Sequence, residues 1–547
     1  MLPILLLALP LLAQPAPVKQ SFGDFRADAI RAHTKFLSSD LLEGRGPGTR
    51  GDALTQSYIA TQFEALGLEP AGDEGTYFQK VSLLGITTKA DQSSVSVVKP
   101  GAAERPLVYR DEFVGGSPSQ KEAVTLDSEL VFVGHGVVAP EYKWDDYKGL
   151  DARGKTLVML VDDPPATTQE PELFKGRART YYGRWTYKFE TGTAHGADAV
   201  ILIHTDASAG YGWQVVRNSW TGEQAYVKNA PGQHALAFAG WVTQKVAGDL
   251  FKSAGLDLEK LTQAAHARDF KPVPLGVRLR GSVTSNIRPF DTANVVARLA
   301  GSDDKLKNEA VLYTAHHDHI GIGTPDDDDP TDTIYNGAID NASGAATILE
   351  LARVWSEMTP RPRRSILFAL VAAEEQGLLG SEYFGEHPAI PAGRIAMGLN
   401  LDALNLFGET TSMTMIGVER TTFYPAVQNV ARAMNLTMVP DQAPEQGSYY
   451  RSDHFSLAKA GVPAFSIKQG AEVTGKPQGY GQAKVKEYRD KHYHQASDEF
   501  DPAWDFGSAV QVARFALWLG YEAAQATEMP MWLEGEEFYG TTAGVRK

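Results

Sequence analysis

The 547-residue chain contains no cysteine. Disulfides, thiolate nucleophiles and cysteine-bound zinc are therefore excluded. Any metal must be held by His, Asp and Glu, a donor set that suits harder or borderline divalent ions. A basic surplus is also missing. Against 67 Asp and Glu stand 52 Lys and Arg, a net charge of −15, which disfavours nucleic acid as a partner. No apolar run is long enough to span a bilayer, so no stable membrane insertion is expected. The N-terminal run, MLPILLLALPLLAQPAP, is short and ends in small residues, although no Lys or Arg precedes it. It reads as a signal-peptide core with cleavage after Ala13 or Ala16, so residues 1–16 are expected to direct export to the periplasm or beyond.

What is present is an ordinary globular mixture, 43% hydrophobic and 22% charged, in a chain long enough for more than one domain. Three textures follow one another. Residues 17–84 carry helical periodicity in FRADAIRAHTKFLSSDLL and TQSYIATQFEALGL, with the glycine-rich loop LEGRGPGTRG between them. Residues 85–285 show short β-type runs (SVSVV, ELVFVGHGVV, KTLVMLV, ADAVILIH, GVRLRGSV) separated by turn residues, an inserted β-rich domain. Its only good helix is expected in RTYYGRWTYKFETGTAHGA. The cluster Tyr181, Tyr182, Trp185 and Tyr187 reads as packing, with a ligand surface as the minority reading. From 286 to 525, strand candidates (NVVARLAG, AVLYTAH, SILFALVAA, MGLNLDAL, AFSI) alternate with helices, among them Ala342–Met358. That alternation predicts an α/β fold, a mostly parallel mixed sheet sandwiched by helices. The tail 526–547 has no clear fold signal and is expected to dock or to flex.

In such sheets functional groups gather at the carboxyl ends of strands. His316, His317, Asp318 and His319 follow AVLYTA; Asp340 precedes a helix; Glu374 and Glu375 follow SILFALVAA; Asp402 follows MGLNL; His494 lies in YHQASDEF. Each alone has a plain reading as a satisfied polar, turn or helix-start residue. Together they crowd negative charge that cations would offset. Two divalent ions about 3.5–4 Å apart need one shared carboxylate and a few terminal ligands. Two His and three carboxylates supply that set, and one glutamate of the pair remains as general base.

HHDH, IDNASG, AEEQGLLGS, NLD and YHQASD, taken in this order, resemble the M28 family of metallopeptidases, and the inserted region resembles a protease-associated (PA) domain. The resemblance implies the zinc exopeptidase fold and two zinc ions, with other divalent metals as substitutes. By position it implies His316, Asp340, Glu375, Asp402 and His494 as ligands, Asp340 bridging. It makes Glu374 the general base, Asp318 an acid beside the first His, and Tyr493 a phenol that stabilises the tetrahedral intermediate. The reaction implied is hydrolysis of peptides at their N-terminal residues. Alternatives stay open: an M28-fold carboxypeptidase, an M20-like dipeptidase or deacylase, a glutaminyl-cyclase-like acyltransferase, and a non-catalytic receptor or scaffold. His317 and His319 are expected to pack or hydrogen-bond, Asp326–Asp329 to form a solvated loop, and Ser452, Asp453 and His454 to be structural or pocket-lining. Oligomeric state is not legible.

Overall fold

The computed structural model describes residues 14–209, 212–323, 330–442 and 444–547. Residues 1–13 of the expected leader and the run Asp326–Asp329 lie outside the described residues. The chain divides into two units. One comprises the residues through Val81, Asp291–Asp441 and Arg451–Lys547; the other comprises Ser82–Phe290 with Gln442–Tyr450.

In the first unit the apolar runs pair as a sheet. Its main strands are β1 (Val273–Leu299, of which the part from Asp291 belongs here), β2 (Ala310–His316), β3 (Ser365–Val371), β4 (Ile395–Asn400) and β5 (Ala464–Ser466). The order is β5-β4-β2-β3-β1. β5, β4, β2 and β3 run parallel, and β1 is antiparallel to β3. Both faces are covered, which is why these strands read as unbroken apolar runs. Ala310 and Leu312 of β2 pack on one face with Leu367, Phe384 and Leu457. Tyr313 points the other way, stacks on Phe368 at 5.8 Å and meets Trp355 at 6.3 Å. The mixed α/β fold class expected from the alternation is borne out.

The helices used below are α1 (Ala27–Leu37), α2 (Arg50–Ala65), α3 (Gly344–Glu357), α4 (Leu379–Glu386), α5 (Tyr480–Lys491) and α6 (Gly507–Gln525). α2 starts where the Thr49 side chain accepts the Asp52 N–H at 3.3 Å, an N-cap. Gly51 follows the cap because a Cβ there would lie 1.7 Å from the Leu42 carbonyl oxygen. α3 is buried on nearly all sides, packed against α1 and α6. Its Glu350 tolerates this because Arg353 pairs with it at 2.7 Å and the Arg26 N–H donates to it at 2.7 Å. The C-terminal tail docks: Trp532 is buried, and Arg546 donates to the carbonyls of Ile395 and Ala396.

The second unit has a mixed sheet in the order Val273–Leu299, Ala123–Phe132, Lys155–Leu160, Ala199–His204, Phe238–Thr243, Phe113–Gly116. Its four middle strands are parallel. Alternate residues feed opposite cores, Val158 and Ile201 to one, Leu157, Met159, Val200 and Leu202 to the other. The expectation of a single good helix is corrected. Besides Trp185–Ala194, this unit holds Trp213–Thr221, Gln244–Ser253 and Leu258–Ala264. The signal for Gln244–Ser253 was present: Thr243 caps it by accepting the Val246 N–H, and Val246, Ala247, Leu250 and Phe251 form one buried stripe. Tyr182 and Tyr187 pack against a small core of Trp144, Leu173 and Phe174, and Trp185 packs against a second.

Candidate metal centre

Register brings the site together. β2 ends at His316, opposite Val371 of β3, and Glu374 and Glu375 lie three and four residues further on. On the other side Thr314 pairs with Asn400 of β4, two residues before Asp402. Asp340 sits in the turn Ala338–Ser343 that leads into α3. His494 follows α5. The chain must bend sharply to aim these groups, and the bends are visible. Ala373, immediately before the Glu pair, Ala403, immediately after Asp402, and His494 itself all have φ between 51° and 57°. Such conformations cost about 1–3 kcal/mol each and persist only where the surroundings impose them.

The five sequence-predicted ligands converge. His316 Nε2 lies 3.2 Å from Asp340 Oδ1 and 3.5 Å from Asp402 Oδ1. The other oxygen of Asp340, Oδ2, lies 3.3 Å from His494 Nε2, which is 3.0 Å from Glu375 Oε2. Asp340 thus turns one oxygen to each of two imidazole–carboxylate pairs. Glu374 joins His316 and Glu375 in a further group whose ligand atoms lie within 4.8 Å of one another.

The donor chemistry fits a divalent cation. His316 Nδ1 faces the backbone carbonyl of Asp318 at 3.3 Å, which places the ring proton there. Nε2 then carries a lone pair, buried, with no hydrogen-bond partner, and is aimed at two carboxylates. Lone pairs facing lone pairs out of water need a cation between them, either a proton or a metal ion. Electrostatics say the same. Burial pulls the His316 imidazole down, yet Glu374, Asp340 and Asp402 together push it well above its ordinary value. Burial likewise lowers His494, but Glu375 and Asp340 outweigh it and raise the ring to about 11. Glu374 goes up, by burial first and then by Glu375, Asp453 and Asp402, with His316 opposing.

Asp318 lies beside His316, and its hydrogen bonds go to the glutamate pair. Its carboxylate stands 3.8 Å from His316 Nδ1, beyond hydrogen-bond reach, and accepts the N–H groups of Glu374 (3.1 Å) and Glu375 (3.4 Å) instead. It holds the glutamate pair rather than the histidine ring. Tyr493 is 44% exposed, and its ring stacks on His494 with centroids 3.9 Å apart. Burial of the hydroxyl, and then the carboxylates of Asp340, Glu375, Glu374 and Asp402, keep the phenol protonated.

Several residues were missed or underrated from sequence. His319, expected only to pack or hydrogen-bond, has Nδ1 2.6 Å from Glu375 Oε1 and groups with Asp340 and Glu375 as a metal-type set, its Nε2 buried without a partner. HHDH gave no such signal, since alternation along an extended segment would put His319 on the side of His317 and not of His316. Ser452 donates to Asp402 Oδ2 at 2.6 Å and accepts from Asn400 Nδ2 at 2.8 Å, and Asn400 in turn accepts from Thr314. Asp453 is buried in the same neighbourhood and raised to about 6 by burial. His317 is held by the Ala293 carbonyl at 3.0 Å and lies 3.8 Å from Asp52.

Residues 294–517 match the sequence model of Peptidase family M28. Among curated proteins it is similar to leupeptin-inactivating enzyme 1 of Streptomyces exfoliatus, 27% identical over 41% of this chain and 48% of that one. It is also similar to leucine aminopeptidase 1 of Pyrenophora tritici-repentis, 27% identical over 45% of this chain and 60% of that one. The chain thus spans about half the length of these relatives. Among solved structures it aligns with the aminopeptidase from Aneurinibacillus sp. strain AM-1, at 19% identity and a TM-score of 0.49 over 94% of this chain and 97% of that one. Among the described residues no helix is long and apolar enough to cross a membrane.

Proposed function

We propose that the protein is a two-zinc exopeptidase that removes N-terminal residues from peptides. The single observation that carries the reading is Asp340, whose two oxygens face His316 with Asp402 on one side and His494 with Glu375 on the other. The family match and the name of the leucine aminopeptidase relative support the choice of peptide bonds and of the N-terminus. His316 and Asp402 would hold one ion, His494 and Glu375 the other, and Asp340 both. When bound, such ions lower the pKa of a water and polarise a carbonyl.

The chain's own groups do the rest. Glu374, in reach of His316 and Glu375 and fixed through its N–H by Asp318, takes a proton from the attacking water and returns it to the leaving amine. The Tyr493 phenol donates to the oxyanion of the tetrahedral intermediate. Ser452 and Asn400 keep Asp402 turned inward. Export through the N-terminal run and a PA-like identity for the unit containing Ser82–Phe290 belong to the same proposal.

The test is a panel of aminoacyl-anilides and N-blocked peptides, assayed with chelator and with zinc restored. Hydrolysis of free N-termini only, lost to chelator and recovered with zinc, is expected. Cleavage confined to N-blocked peptides overturns the aminopeptidase assignment and favours the carboxypeptidase alternative. Full activity in chelator overturns the metal centre.

A further inference from the structure

Two charged side chains outside the ligand set bind the ligand-bearing loops to one another. The first is Arg45, in the glycine-rich loop between α1 and α2. It is 1% exposed. Its guanidinium donates to the backbone carbonyls of His317 (2.9 Å), Asn336 (2.6 Å), Gly337 (2.9 Å) and Leu37. Burying a cation among neutral carbonyls is costly, and burial pulls its pKa down to about 10 against the pull of Asp318, Asp498, Asp340 and Glu375. The backbone that delivers it is strained as well. Glu43, Gly44 and Arg45 have φ of 51°, 67° and 53° in succession, and a Cβ on Gly44 would lie 2.5 Å from the Gly321 carbonyl oxygen. Backbone strain kept at a buried charge, where it aims that charge, points to function.

The second is Asp498, 2% exposed. Its Oδ1 accepts the Ile339 N–H at 3.0 Å and its Oδ2 the Asp340 N–H at 3.1 Å, and the Tyr488 hydroxyl donates to Oδ2 at 3.1 Å. Its backbone carbonyl accepts the Ala338 N–H at 2.9 Å. The segment Asn336–Asp340 is therefore held by its first two carbonyls through a cation and by its last two N–H groups through an anion. Arg45 carries the same hold across to His317, beside His316. Asp498 lies four residues after His494.

We propose that Arg45 and Asp498 are positioning residues of the metal centre: they lock the loops of His316, Asp340 and His494 in one register, so that the shared carboxylate faces both halves at once. This rests on the two-metal reading above. It adds that the geometry of Asp340 is imposed by these two side chains and not by the ions alone. Partners one step behind metal ligands typically change metal affinity 10–100-fold when removed.

The test measures zinc dissociation constants for metal-stripped wild type, Asp498→Asn and Arg45→Lys, by competition with a fluorescent chelator. Calorimetric unfolding of the stripped proteins runs alongside. Asp498→Asn keeps the shape but replaces one acceptor oxygen with a donor; Arg45→Lys keeps the charge but loses the fork that reaches four carbonyls. The expected result is zinc binding weaker by about 10–100-fold in stripped proteins that still unfold cooperatively, a change a merely structural role would not produce. Wild-type affinity in either folded variant overturns the proposal. Loss of fold in both variants also overturns it, in favour of a purely structural role. Wild type that takes up no zinc removes the two-metal reading and this proposal together, whereas wild type that binds while the variants match it removes only this one.

Discussion

Asp340→Asn tests the geometry most directly. The substitution keeps the size of the side chain and removes one of its two oxygens as an acceptor. Asp340 Oδ1 lies 3.2 Å from His316 Nε2, and Oδ2 lies 3.3 Å from His494 Nε2. At an effective dielectric near 20, a unit charge pair at this separation interacts by roughly 5 kcal/mol. That figure suits His316, which is buried. The His494 side chain is 38% exposed, so solvent screening cuts its share to a fraction of that. Breaking one partner out of a buried charged set costs about 3–5 kcal/mol net, which is roughly two to four powers of ten in metal affinity at 1.36 kcal/mol per decade. An asparagine can offer its one oxygen to only one of the two imidazole–carboxylate pairs. Bound zinc, measured by elemental analysis on gel-filtered protein, should therefore fall from two ions per chain to at most one. Turnover should fall by at least about 10²-fold, since water activation depends on both ions. Two ions retained with full turnover would falsify the bridging role, which rests on Oδ1 facing His316 and Oδ2 facing His494.

Four further outcomes follow from the same geometry. Glu374→Gln should keep its zinc and lose about 10²–10⁴-fold in kcat; unchanged kcat removes Glu374 from the base role. Ser452→Ala breaks a short bond to a carboxylate and strands Asn400 Nδ2, a loss of about 1.5–3 kcal/mol that should appear as weaker zinc binding; unaltered affinity would mean Asp402 holds its orientation unaided. Gly51→Ala sets a Cβ 1.7 Å from the Leu42 carbonyl oxygen and should lower stability by about 1–3 kcal/mol or more, and an unchanged unfolding midpoint contradicts that contact. In chelator, stability should fall as pH rises from about 4 to 7. Burial holds Asp318 at about 7 and Asp453 and Asp498 at about 6, above their unfolded values near 3.9. The native state then carries more protons than the unfolded state across that window, so ΔG of unfolding declines with pH. A midpoint higher at pH 8 than at pH 5 in metal-free protein refutes it.

The sequence by itself determined the fold class of the second half and the chemical character of its strand ends. Strict alternation of apolar strand and helix leaves few arrangements other than a mostly parallel sheet, and the absence of cysteine restricts any metal to imidazole and carboxylate. It went astray where one signal masked another. The stripe Val246, Ala247, Leu250 and Phe251 is helical, yet the β-type runs around it led to the expectation of a single good helix in that region. Only the tertiary structure decided which atoms face which. Asp318 accepts from the amides of Glu374 and Glu375; His319 meets Glu375; Ser452 holds Asp402; Arg45 reaches Asn336 and Gly337. These partners lie between 50 and 292 residues apart. Periodicity reports which side of a strand or helix a residue faces. It carries no record of which distant backbone will stop beside it, because that is set by packing the sheet, the glycine-rich loop and the strained turns against one another.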